Sequence, residues 1–383
     1  MLPNDFNEAQ SRHLLQTLKG GWAFVPPQLP PQFNLGEVAL NLASAQVAVG
    51  ELKGAARRLQ NPSMLFVPLI RREALTSSAI EGTITTLDNL LIEEVGGQVP
   101  IDDDARETQN YVRALNEATR SLQELPISHR IIKQAHKTLL SGLSPKRGAG
   151  KRPGDYRNNQ NAIGKYGDDE LTARYVPPPP QQALDAMDAL EAFINREDRR
   201  PGEELIDIAL AHYQFEAIHP FNDGNGRIGR MLVTLMAQQL LFSMQPLLHI
   251  SANLERKKDE YIERLYSVST QGHWVDWINF FLTTVQESCV SATAVVDQIL
   301  NLQSEMRDKA LTSGGGHRLM TIVDSLFTRE YTTVAEIQKL CNVTFPTAKS
   351  DIEKLVKLGM LRPLGRMRPT IYVALNIYNL GNR

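Results

Sequence analysis

Apolar residues recur at spacings of three and four along most of this chain, the spacing that places them on one face of an α-helix. Alternating apolar and polar positions, which would indicate strands, are rare, so the pattern predicts a mainly α fold. A long amphipathic run begins at Trp274 and continues to about Leu311. Eight earlier segments carry the helical period, namely 36–59, 63–81, 104–123, 128–141, 181–195, 203–218, 226–242 and 255–271.

Stretches rich in proline and glycine separate the helical segments and cannot continue a helix. Between residues 155 and 180, two short extended pieces at 161–163 and 172–176 flank the turn-rich sequence GKYGDDE, which predicts a β-hairpin. The glycines of TSGGGH at 312–317 form a flexible break of the kind that separates domains. We therefore expect an N-terminal helical region over 1–100, a central unit over 101–311 and a third domain over 317–383.

The sequence HPFNDGNGRIGR, from His219 to Arg230, joins two predicted helices and combines residues that bind phosphate with residues suited to acid–base chemistry. Asn225 is a common N-cap residue, and the free N–H groups that follow it would face the loop. Arg227 and Arg230 lie one turn apart near the positive end of a helix, which is unfavourable without an anion to bind. The loop also fits the dinucleotide pattern GxGxxG, but no predicted strand precedes it and the ribose-binding acid is missing. We interpret the loop as a phosphate site.

Composition narrows the classes of function. The 383 residues carry a formal net charge of −2, so binding to nucleic acid or acidic lipid would need a local basic patch. Cys289 and Cys341 lack the spacing of a zinc site or a disulfide framework, which favours a reducing compartment. The sequence shows neither a signal-peptide pattern nor an apolar run long enough for a bilayer. We expect a cytoplasmic protein without membrane contact.

The run from His219 to Arg230 resembles the signature of the Fic family, HPFx[D/E]GNGRxxR, and every specified position is filled. YRNNQNAIG and YVPPPP are similar to the flap hairpin of that family, and SANLERKKDEYIERLYSVSTQGHWVDWINFFL is similar to its helices after the signature. The resemblance covers roughly residues 60–290. It implies a Fic helical core with a β-hairpin flap. It also implies transfer of AMP from ATP to a Ser, Thr or Tyr hydroxyl of a target protein or of the chain itself, with release of pyrophosphate.

The resemblance also implies roles for the residues of the signature. His219 is the expected general base, which takes the proton from the acceptor hydroxyl. Asp223 is the expected ligand of Mg²⁺, because this ion is usually held by one or two carboxylates together with phosphate oxygens. The remaining residues are expected to bind the phosphates, three of them as an anion hole and two as arginine ligands of the β- and γ-phosphates. They are Gly224, Asn225, Gly226, Arg227 and Arg230.

The flap is expected to border the ATP site and to align the target segment by main-chain hydrogen bonds. The family often has an aromatic residue where this flap has Ala162. Tyr261 is a candidate for the adenosine side. Three histidines, His129, His136 and His212, complete no metal site and are expected to be structural or exposed. The expected flap residues are Asn161, Ala162, Ile163 and Gly164.

A second stretch, TSSAIEGT at 76–83, lies at the end of a predicted helix. The carboxylate of Glu81 opposes the helix dipole there and should have a compensating cation, while Gly82 suits the position after a helix. Ser77, Glu81 and Gly82 resemble the inhibitory motif [ST]xxxE[GN] of the Fic family, in which the glutamate pairs with the second arginine of the signature. The resemblance therefore implies that Glu81 pairs with Arg230, occupies the place of the γ-phosphate and keeps the resting enzyme weakly active.

Residues 317–383 carry the pattern of three short helices followed by a basic hairpin in LRPLGRMRPTIYVAL, and together they resemble a winged helix. From residue 317 onward, ten Lys and Arg residues stand against five Asp and Glu residues. This excess favours contact with DNA through the wing and the third helix, but protein docking or dimer formation fits equally well. The candidate DNA contacts are Thr344, Thr347 and Lys349.

Alternatives to AMP transfer stay open at this point. Glu81 could position water for the removal of AMP from a modified protein, which would make the chain a de-AMPylation enzyme. The chain could also be a DNA-binding regulator whose Fic core has low activity, although the intact His219 and both arginines argue against that. The sequence does not determine the target protein, the acceptor residue or whether the chain forms a homodimer.

Overall fold

A computed structural model describes residues 1–94, 103–165, 167–243, 245–314, 316–364 and 369–381. The described chain is mainly α-helical, as the hydrophobic pattern predicts. The helices, in chain order, are α1 (Glu8–Ser11), α2 (Ala39–Ala56), α3 (Ser63–Ile80), α4 (Leu87–Glu94), α5 (Asp103–Ser121), α6 (His129–Leu139), α7 (Pro180–Ile194), α8 (Glu204–Ile218), α9 (Asn225–Leu240), α10 (Ser251–Arg256), α11 (Lys258–Gln271), α12 (Trp274–Thr312), α13 (Gly316–Leu326), α14 (Val334–Cys341), α15 (Phe345–Lys357) and α16 (Leu375–Tyr378). The strands are β1 (Leu14–Gln16), β2 (Trp22–Phe24), β3 (Tyr331–Thr332), β4 (Arg362–Pro363) and β5 (Tyr372–Val373).

Every segment with helical period contains a helix whose ends lie within a few residues of the predicted ends. The elements that the pattern did not predict are short: α1, α4, α10, α16, strand β3 and the antiparallel pair β1–β2, in which Leu14 lies opposite Phe24. A strand of three residues or a helix of a turn or two is too short to display a hydrophobic period. Only elements long enough to show a hydrophobic period could therefore be predicted from the sequence.

The described chain divides into two compact units, one made of residues 1–50 and 73–289 and the other of residues 51–72 and those from 290 onward. The limits of these units pass through α2, α3 and α12, three continuous helices. The glycines at 312–317 instead lie between α12 and α13, inside the second unit. The division into three domains inferred from the sequence does not coincide with these limits and stays a prediction.

Helices α8 and α9 form the centre of the first unit. Every residue of α8 except Glu204 and Glu216 is buried, and α9 is buried from Arg227 to Gln238. A helix that is buried on all sides lies within a core, and these two pack against each other, with α7 beside α8 and with α5 and α6 beside α9. The loop that joins them is therefore anchored at both ends in the core of the unit.

The flap predicted between residues 155 and 180 contains one antiparallel pair, Ile163 opposite Tyr175. The Ile163 amide donates to the Tyr175 carbonyl at 2.8 Å, and the Tyr175 amide donates to the Ile163 carbonyl at 3.0 Å. The two segments thus approach each other as a hairpin, but they do not extend into regular strands. On its far side the flap is joined to β2, because the Phe24 amide donates to the Val176 carbonyl at 2.9 Å.

The second unit contains helices α13, α14 and α15 and a three-stranded antiparallel sheet in the order β3-β5-β4. Strand β5 is central, since Val373 lies opposite both Tyr331 and Arg362. The chain order of helix, strand, two helices and two strands is that of a winged helix, and the assignment stays a prediction. Thr344, Thr347 and Lys349 lie at the start of α15. Part of the predicted wing, residues 365–368, lies outside the described residues.

The structure also shows where the two cysteines lie and whether any described helix could span a membrane. Cys289 is buried and Cys341 is partly exposed, and both are free thiols. Burial raises the pKa of the Cys289 thiol to about 12, so this side chain stays protonated. Within the described ranges, no helix is both long enough and apolar enough to cross a bilayer, although α12 has 39 residues.

Candidate functional site

The stretch from His219 to Arg230 forms the turn between α8 and α9. His219 ends α8 in the left-handed conformation, with φ 49°, and Gly224 precedes α9 with φ 76°. Glycine adopts this conformation freely, whereas a histidine there is strained and is typical of functional sites. The turn places the side chain of His219 beside the first turn of α9, so that His219 and Gly226 line the same cavity.

The residue type of Asn225 suggested that it caps α9, but it does not. Gly224 holds the cap position, and Asn225 is the first residue of the helix. The Asn225 side chain instead closes the loop on Phe221. Its Oδ1 accepts from the Phe221 amide and its Nδ2 donates to the Phe221 carbonyl, both at 2.8 Å. Only the main chain of Asn225 is therefore left to contribute to an anion site.

His136 supports the loop from α6. Its ring stacks on Phe221 with centroids 3.8 Å apart. The Gly154 amide donates to Nδ1 at 2.9 Å, so the ring proton must be on Nε2, which donates to the Asp223 carbonyl at 3.0 Å. Burial lowers the pKa of His136 to about 4, which keeps the ring neutral. His136 and His212 are both fully buried, so neither lies at the surface.

Arg157 joins the flap to the loop and was not among the residues expected from the sequence. Its guanidinium donates to the carbonyls of His219 at 2.9 Å and Pro178 at 2.5 Å, and its main-chain amide donates to the Pro220 carbonyl at 2.9 Å. Asn161 adds a second connection, since its Nδ2 donates to the Phe221 carbonyl at 2.8 Å. The burial of Arg157 and its carbonyl partners depend on tertiary structure, so no sequence signal could have identified this role.

The imidazole of His219 is neutral and one of its nitrogens is available. Nδ1 lies 3.3 Å from the Glu216 carbonyl, which can only accept, so Nδ1 carries the proton and Nε2 has a free lone pair. Burial, with a smaller contribution from the charge of Arg157, lowers the pKa of His219 to about 4. The ring is therefore unprotonated at pH 7 and can accept a proton.

Glu81 follows the last residue of α3 and binds Arg230, as the inhibitory motif implied. Its Oε1 lies 2.8 Å from Nη2 of Arg230. Ser77 completes the contact, because its hydroxyl accepts from Nε of Arg230 at 2.9 Å and its carbonyl accepts from Nη2 at 2.8 Å. Gly82 has φ +84°, which suits the residue after the helix. Burial raises the pKa of the Glu81 carboxyl, but the charge and hydrogen bond of Arg230 prevail and the net pKa is lowered.

The carboxylate of Glu81 lies directly over the first turn of α9. A Cβ atom on residue 226 would collide with Oε1 of Glu81 and would lie 2.8 Å from Nη1 of Arg230. The amides of a first helical turn have no partners within the helix and attract anions. Glu81 therefore places a carboxylate at an anion position formed by Gly226 and Arg230.

Arg227 does not line this contact and pairs instead with Glu107 of α5. The Glu107 carboxylate also binds Arg147 at 2.6 Å, so one buried carboxylate holds two arginines. Asp223 Oδ1 lies 3.4 Å from Nη2 of Arg227, and Asp223 Oδ2 lies 3.8 Å from Nζ of Lys151. The structure thus surrounds the loop with cations but places the guanidinium of Arg227 outside the cavity that Arg230 lines.

The carboxylate of Asp223 is accessible enough to bind magnesium, but it has no further carboxylate ligands beside it among the described residues. Its carboxylate is 39% exposed, which leaves an oxygen accessible beside the loop. Among the described residues, no group of three or more His, Cys, Asp or Glu side chains could hold a metal ion. Magnesium commonly takes one or two carboxylates and completes its shell with phosphate oxygens and water, so Asp223 fits as the single protein ligand of a nucleotide-bound ion.

A cavity of about 490 Å³ extends from the anion position. Its lining includes Glu81, Gly226 and Arg230, together with residues of the flap and of α11. Eight of the expected site residues line it, namely Glu81, Gly82, Ile163, Gly164, His219, Gly226, Arg230 and Tyr261. Six lie outside it, namely Ser77, Ala162, Asp223, Gly224, Asn225 and Arg227.

Glu216 also lines this cavity and was not expected. Its Oε1 is buried without a hydrogen-bond partner among the described residues and packs so closely on Gly229 that a Cβ there would collide with it. Burial, aided by the negative charge of Glu81, outweighs the opposing charge of Arg230 and raises the pKa of Glu216 to about 8. At pH 7 the side chain is therefore mainly a neutral acid. No sequence signal marked it, because a glutamate near a helix end is common.

Two family models match the chain. The one described as Fic/DOC family N-terminal matches residues 39–120, and the one described as Fic/DOC family matches residues 126–237. The two matches together cover about half of the chain. The first includes Glu81 and the second includes the whole run from His219 to Arg230, so the two sides of the contact described above belong to the matched regions.

Among curated proteins, protein adenylyltransferase Fic of Drosophila yakuba is 27% identical over 195 residues, which is 49% of this chain and 35% of that protein. The protein of the same name from Drosophila melanogaster gives the same values. That of Drosophila ananassae is 31% identical over 115 residues, 30% of this chain and 20% of that protein. The chain spans about a third of the length of the first two relatives.

Two solved structures share the fold. A Fic family protein from Desulfovibrio desulfuricans G20 has a TM-score of 0.57 at 18% identity, over 90% of this chain and 98% of that one. A Fic domain containing signaling protein from Bacteroides thetaiotaomicron VPI-5482 has a TM-score of 0.52 at 19% identity, over 66% of this chain and 96% of that one. At such identities the likeness concerns the fold alone.

Proposed function

Because this chain belongs to the Fic/DOC family, we propose that it transfers AMP from ATP to a hydroxyl side chain of a target protein or of itself. One observation carries the proposal: the cavity joins a neutral histidine, His219, to an anion position formed by Gly226 and Arg230. A base beside a phosphate site is what nucleotidyl transfer needs, since such chemistry depends on alignment and charge stabilisation. The name of the Drosophila relatives agrees with this reaction.

The reaction balances with the groups present. The acceptor oxygen attacks the α-phosphorus of ATP, the bond from that phosphorus to the bridging oxygen breaks, and pyrophosphate leaves. Nε2 of His219 takes the proton of the acceptor hydroxyl, which it can do because Nδ1 holds the other ring proton. Arg230 and the amides of the first turn of α9 stabilise the charge of the departing phosphates.

Asp223 is the residue that we propose as the ligand of magnesium. Mg²⁺ bound with the nucleotide would offset the negative charge of the phosphates. The carboxylate of Asp223 is anchored for this, because its Oδ1 accepts from the Gly224 amide at 2.6 Å. Lys151, 3.8 Å from Oδ2, would compete with the ion for the same oxygen.

We propose that Glu81 inhibits this reaction in the resting protein. A carboxylate bonded to Arg230 and lying over Gly226 fills the position of a terminal phosphate, so ATP can bind productively only after Glu81 has moved. Lys258 stabilises the inhibited arrangement, since its ammonium donates to the Ile80 carbonyl at 2.5 Å at the end of α3. The site would therefore be complete but blocked.

The test uses ATP labelled on the α-phosphate and, separately, on the γ-phosphate. We expect the chain with Glu81→Gly to retain the α-label covalently and to release the γ-label, and the chain with Glu81→Gly and His219→Ala to retain neither. Retention of the γ-label would indicate phosphoryl transfer instead. Absence of any label in a folded Glu81→Gly variant, with cell extract supplied as a source of targets, would argue against nucleotidyl transfer.

A further inference from the structure

Lys258 is a charged residue of the cavity to which the proposed reaction assigns no contact with the nucleotide. It is the first residue of α11, and it lines the same cavity as Glu81, Gly226 and Arg230. Its ammonium donates to the Ile80 carbonyl at 2.5 Å, at the end of α3. Ile80 directly precedes Glu81 in the chain, so this bond places the ammonium close to the segment whose carboxylate fills the anion position.

The three cations that line the cavity differ in their partners. Arg230 lies 2.8 Å from the carboxylate of Glu81. Arg174 of the flap lies 2.7 Å from the carboxylate of Glu263 in α11. Among the residues that the structure describes, Lys258 has no carboxylate within ion-pair distance, and its described partner is a neutral carbonyl. Its positive charge is therefore available to an anion that enters the cavity.

The ammonium of Lys258 also has unused hydrogen-bonding capacity. A lysine ammonium carries three N–H donors, and the bonds of the described chain use one of them, for the Ile80 carbonyl. The last carbonyls of a helix lack partners within the helix and attract cations, so the end of α3 is a suitable anchor. Lys258 is exposed, so water can serve the two remaining donors until an anion replaces it.

The preceding residue, Lys257, shows the contrasting arrangement. Its ammonium lies 2.7 Å and 2.9 Å from the two carboxylate oxygens of Glu287 in α12, and it does not line the cavity. A carboxylate offsets the charge of a lysine, whereas a neutral carbonyl holds the ammonium in place and leaves its charge available. Of these two adjacent lysines, Lys258 is therefore the one suited to bind phosphate.

We propose that Lys258 binds the phosphates of ATP and that the Ile80 carbonyl holds its ammonium in place for this contact. The inference rests on the proposed function, in which ATP enters the cavity once the carboxylate of Glu81 has left the anion position. The end of α3 then has two opposite effects. The side chain of Glu81 blocks the phosphates, while the main-chain carbonyl before it orients a cation toward them.

The experiment measures ATP binding by calorimetry, with Mg²⁺ present, in a chain that carries Glu81→Gly and His219→Ala, so that the anion position is open and ATP stays intact. Adding Lys258→Met, which removes the charge, should weaken ATP binding about tenfold, the effect expected of one hydrogen bond between charged groups. Lys258→Arg keeps the charge and should retain most of the affinity. The matched control is Lys257→Met, which removes the adjacent lysine outside the cavity and should leave ATP binding unchanged.

The outcomes separate this inference from the proposed function. ATP binding by Lys258→Met as tight as that of the parent chain would show that this ammonium does not contact phosphate. Equal losses with Lys258→Met and Lys258→Arg would indicate a role in packing, and equal losses with Lys258→Met and Lys257→Met would indicate a general effect of charge. Each of these three results overturns the inference, while transfer of the α-label still decides on AMP transfer. A parent chain that does not bind ATP would overturn both.

Discussion

Oε1 of Glu81 lies 2.8 Å from Nη2 of Arg230, and the same oxygen sits over the α-carbon of Gly226. The Arg230 side chain is 1% exposed and that of Glu81 is 37% exposed, so the pair is half-buried and open to the cavity on the side of the glutamate. Arg230 would keep a charged partner in either state, Glu81 or phosphate. The exchange between the two therefore depends on differences in geometry and solvation and need not leave a buried charge unpaired.

The first prediction is that Glu81→Gly raises incorporation of α-labelled AMP by one to two orders of magnitude. Release of a half-buried ion pair changes the balance between Glu81 and phosphate by a few kcal/mol, and each 1.4 kcal/mol is about tenfold in population. Incorporation is measured at equal concentrations of protein, ATP and Mg²⁺. Glu81→Gln provides a graded control, because it keeps the size of the side chain and loses its charge. Its AMP incorporation should lie between that of wild type and that of Glu81→Gly. Incorporation no higher than wild type in a folded Glu81→Gly variant would contradict inhibition by Glu81.

The second prediction concerns Gly226. Its α-carbon faces the anion position, so Gly226→Ala places a methyl group where both Glu81 and a phosphate must lie. We expect Gly226→Ala to displace Glu81 without activating the chain, and to lower AMP incorporation at least tenfold when combined with Glu81→Gly. The helix itself should tolerate alanine, which favours helical conformation over glycine.

Gly50 is the matched control for that substitution. It lies within α2, has a negative φ, and a Cβ atom there would meet nothing within 4 Å. Gly50→Ala combined with Glu81→Gly should leave incorporation unchanged. If Gly226→Ala proved as active as Gly50→Ala in this background, the anion position would have to lie elsewhere.

The third prediction is that His219→Ala abolishes AMP transfer and leaves ATP binding nearly intact. Loss of a positioned base typically costs 10²- to 10⁴-fold in rate. Because the pKa of His219 is lowered to about 4, the ring is unprotonated throughout the neutral range, and transfer should decline only when the pH falls toward that value. The rate of transfer by Glu81→Gly between pH 4 and pH 8 measures this. A decline that begins at pH 6 to 7 would show that the base has an ordinary pKa or is another residue.

Sequence reasoning predicted the elements of the site whose signal is local. The period of apolar residues located α8 and α9, and the spacing of residues between His219 and Arg230 located the loop and its arginines. The contact of Glu81 with Arg230 was predicted across 149 positions, because a resemblance carried information about tertiary structure. The spacing of apolar residues alone could not have predicted a contact between two residues so far apart in the sequence.

The sequence could not predict features that depend on which helices meet. Glu107 pairs with Arg227, and Arg157 donates to the carbonyl of His219, only because α5 and the base of the flap pack beside the loop. The sequence also did not predict the limits of the two compact units. They pass through α2, α3 and α12, and a helical period that continues across a limit shows no break in the sequence. The glycines at 312–317 are a local signal for flexibility, which is not the same as a boundary between units.

The last prediction is that Glu216→Gln stabilises the chain increasingly as the pH rises from about 4.5 to about 8. Burial raises the pKa of Glu216 from 4.5 to about 8, so between these values the folded chain keeps a proton that the unfolded chain has lost. The folded state is then penalised as the pH rises, by at most about 1.4 kcal/mol per pH unit, until Glu216 ionises in both states. Glutamine keeps the shape of the side chain and cannot ionise.

The melting temperatures of wild type and Glu216→Gln should therefore be similar at pH 4.5, diverge up to about pH 8 and stay apart above it. Glu263→Gln is a suitable control, because Glu263 is exposed and its hydrogen bond with Arg174 lowers its pKa, so that substitution should not stabilise the chain at high pH. A constant difference between Glu216→Gln and wild type from pH 4.5 to 8 would mean that Glu216 is ionised in the folded chain, with Arg230 as its partner.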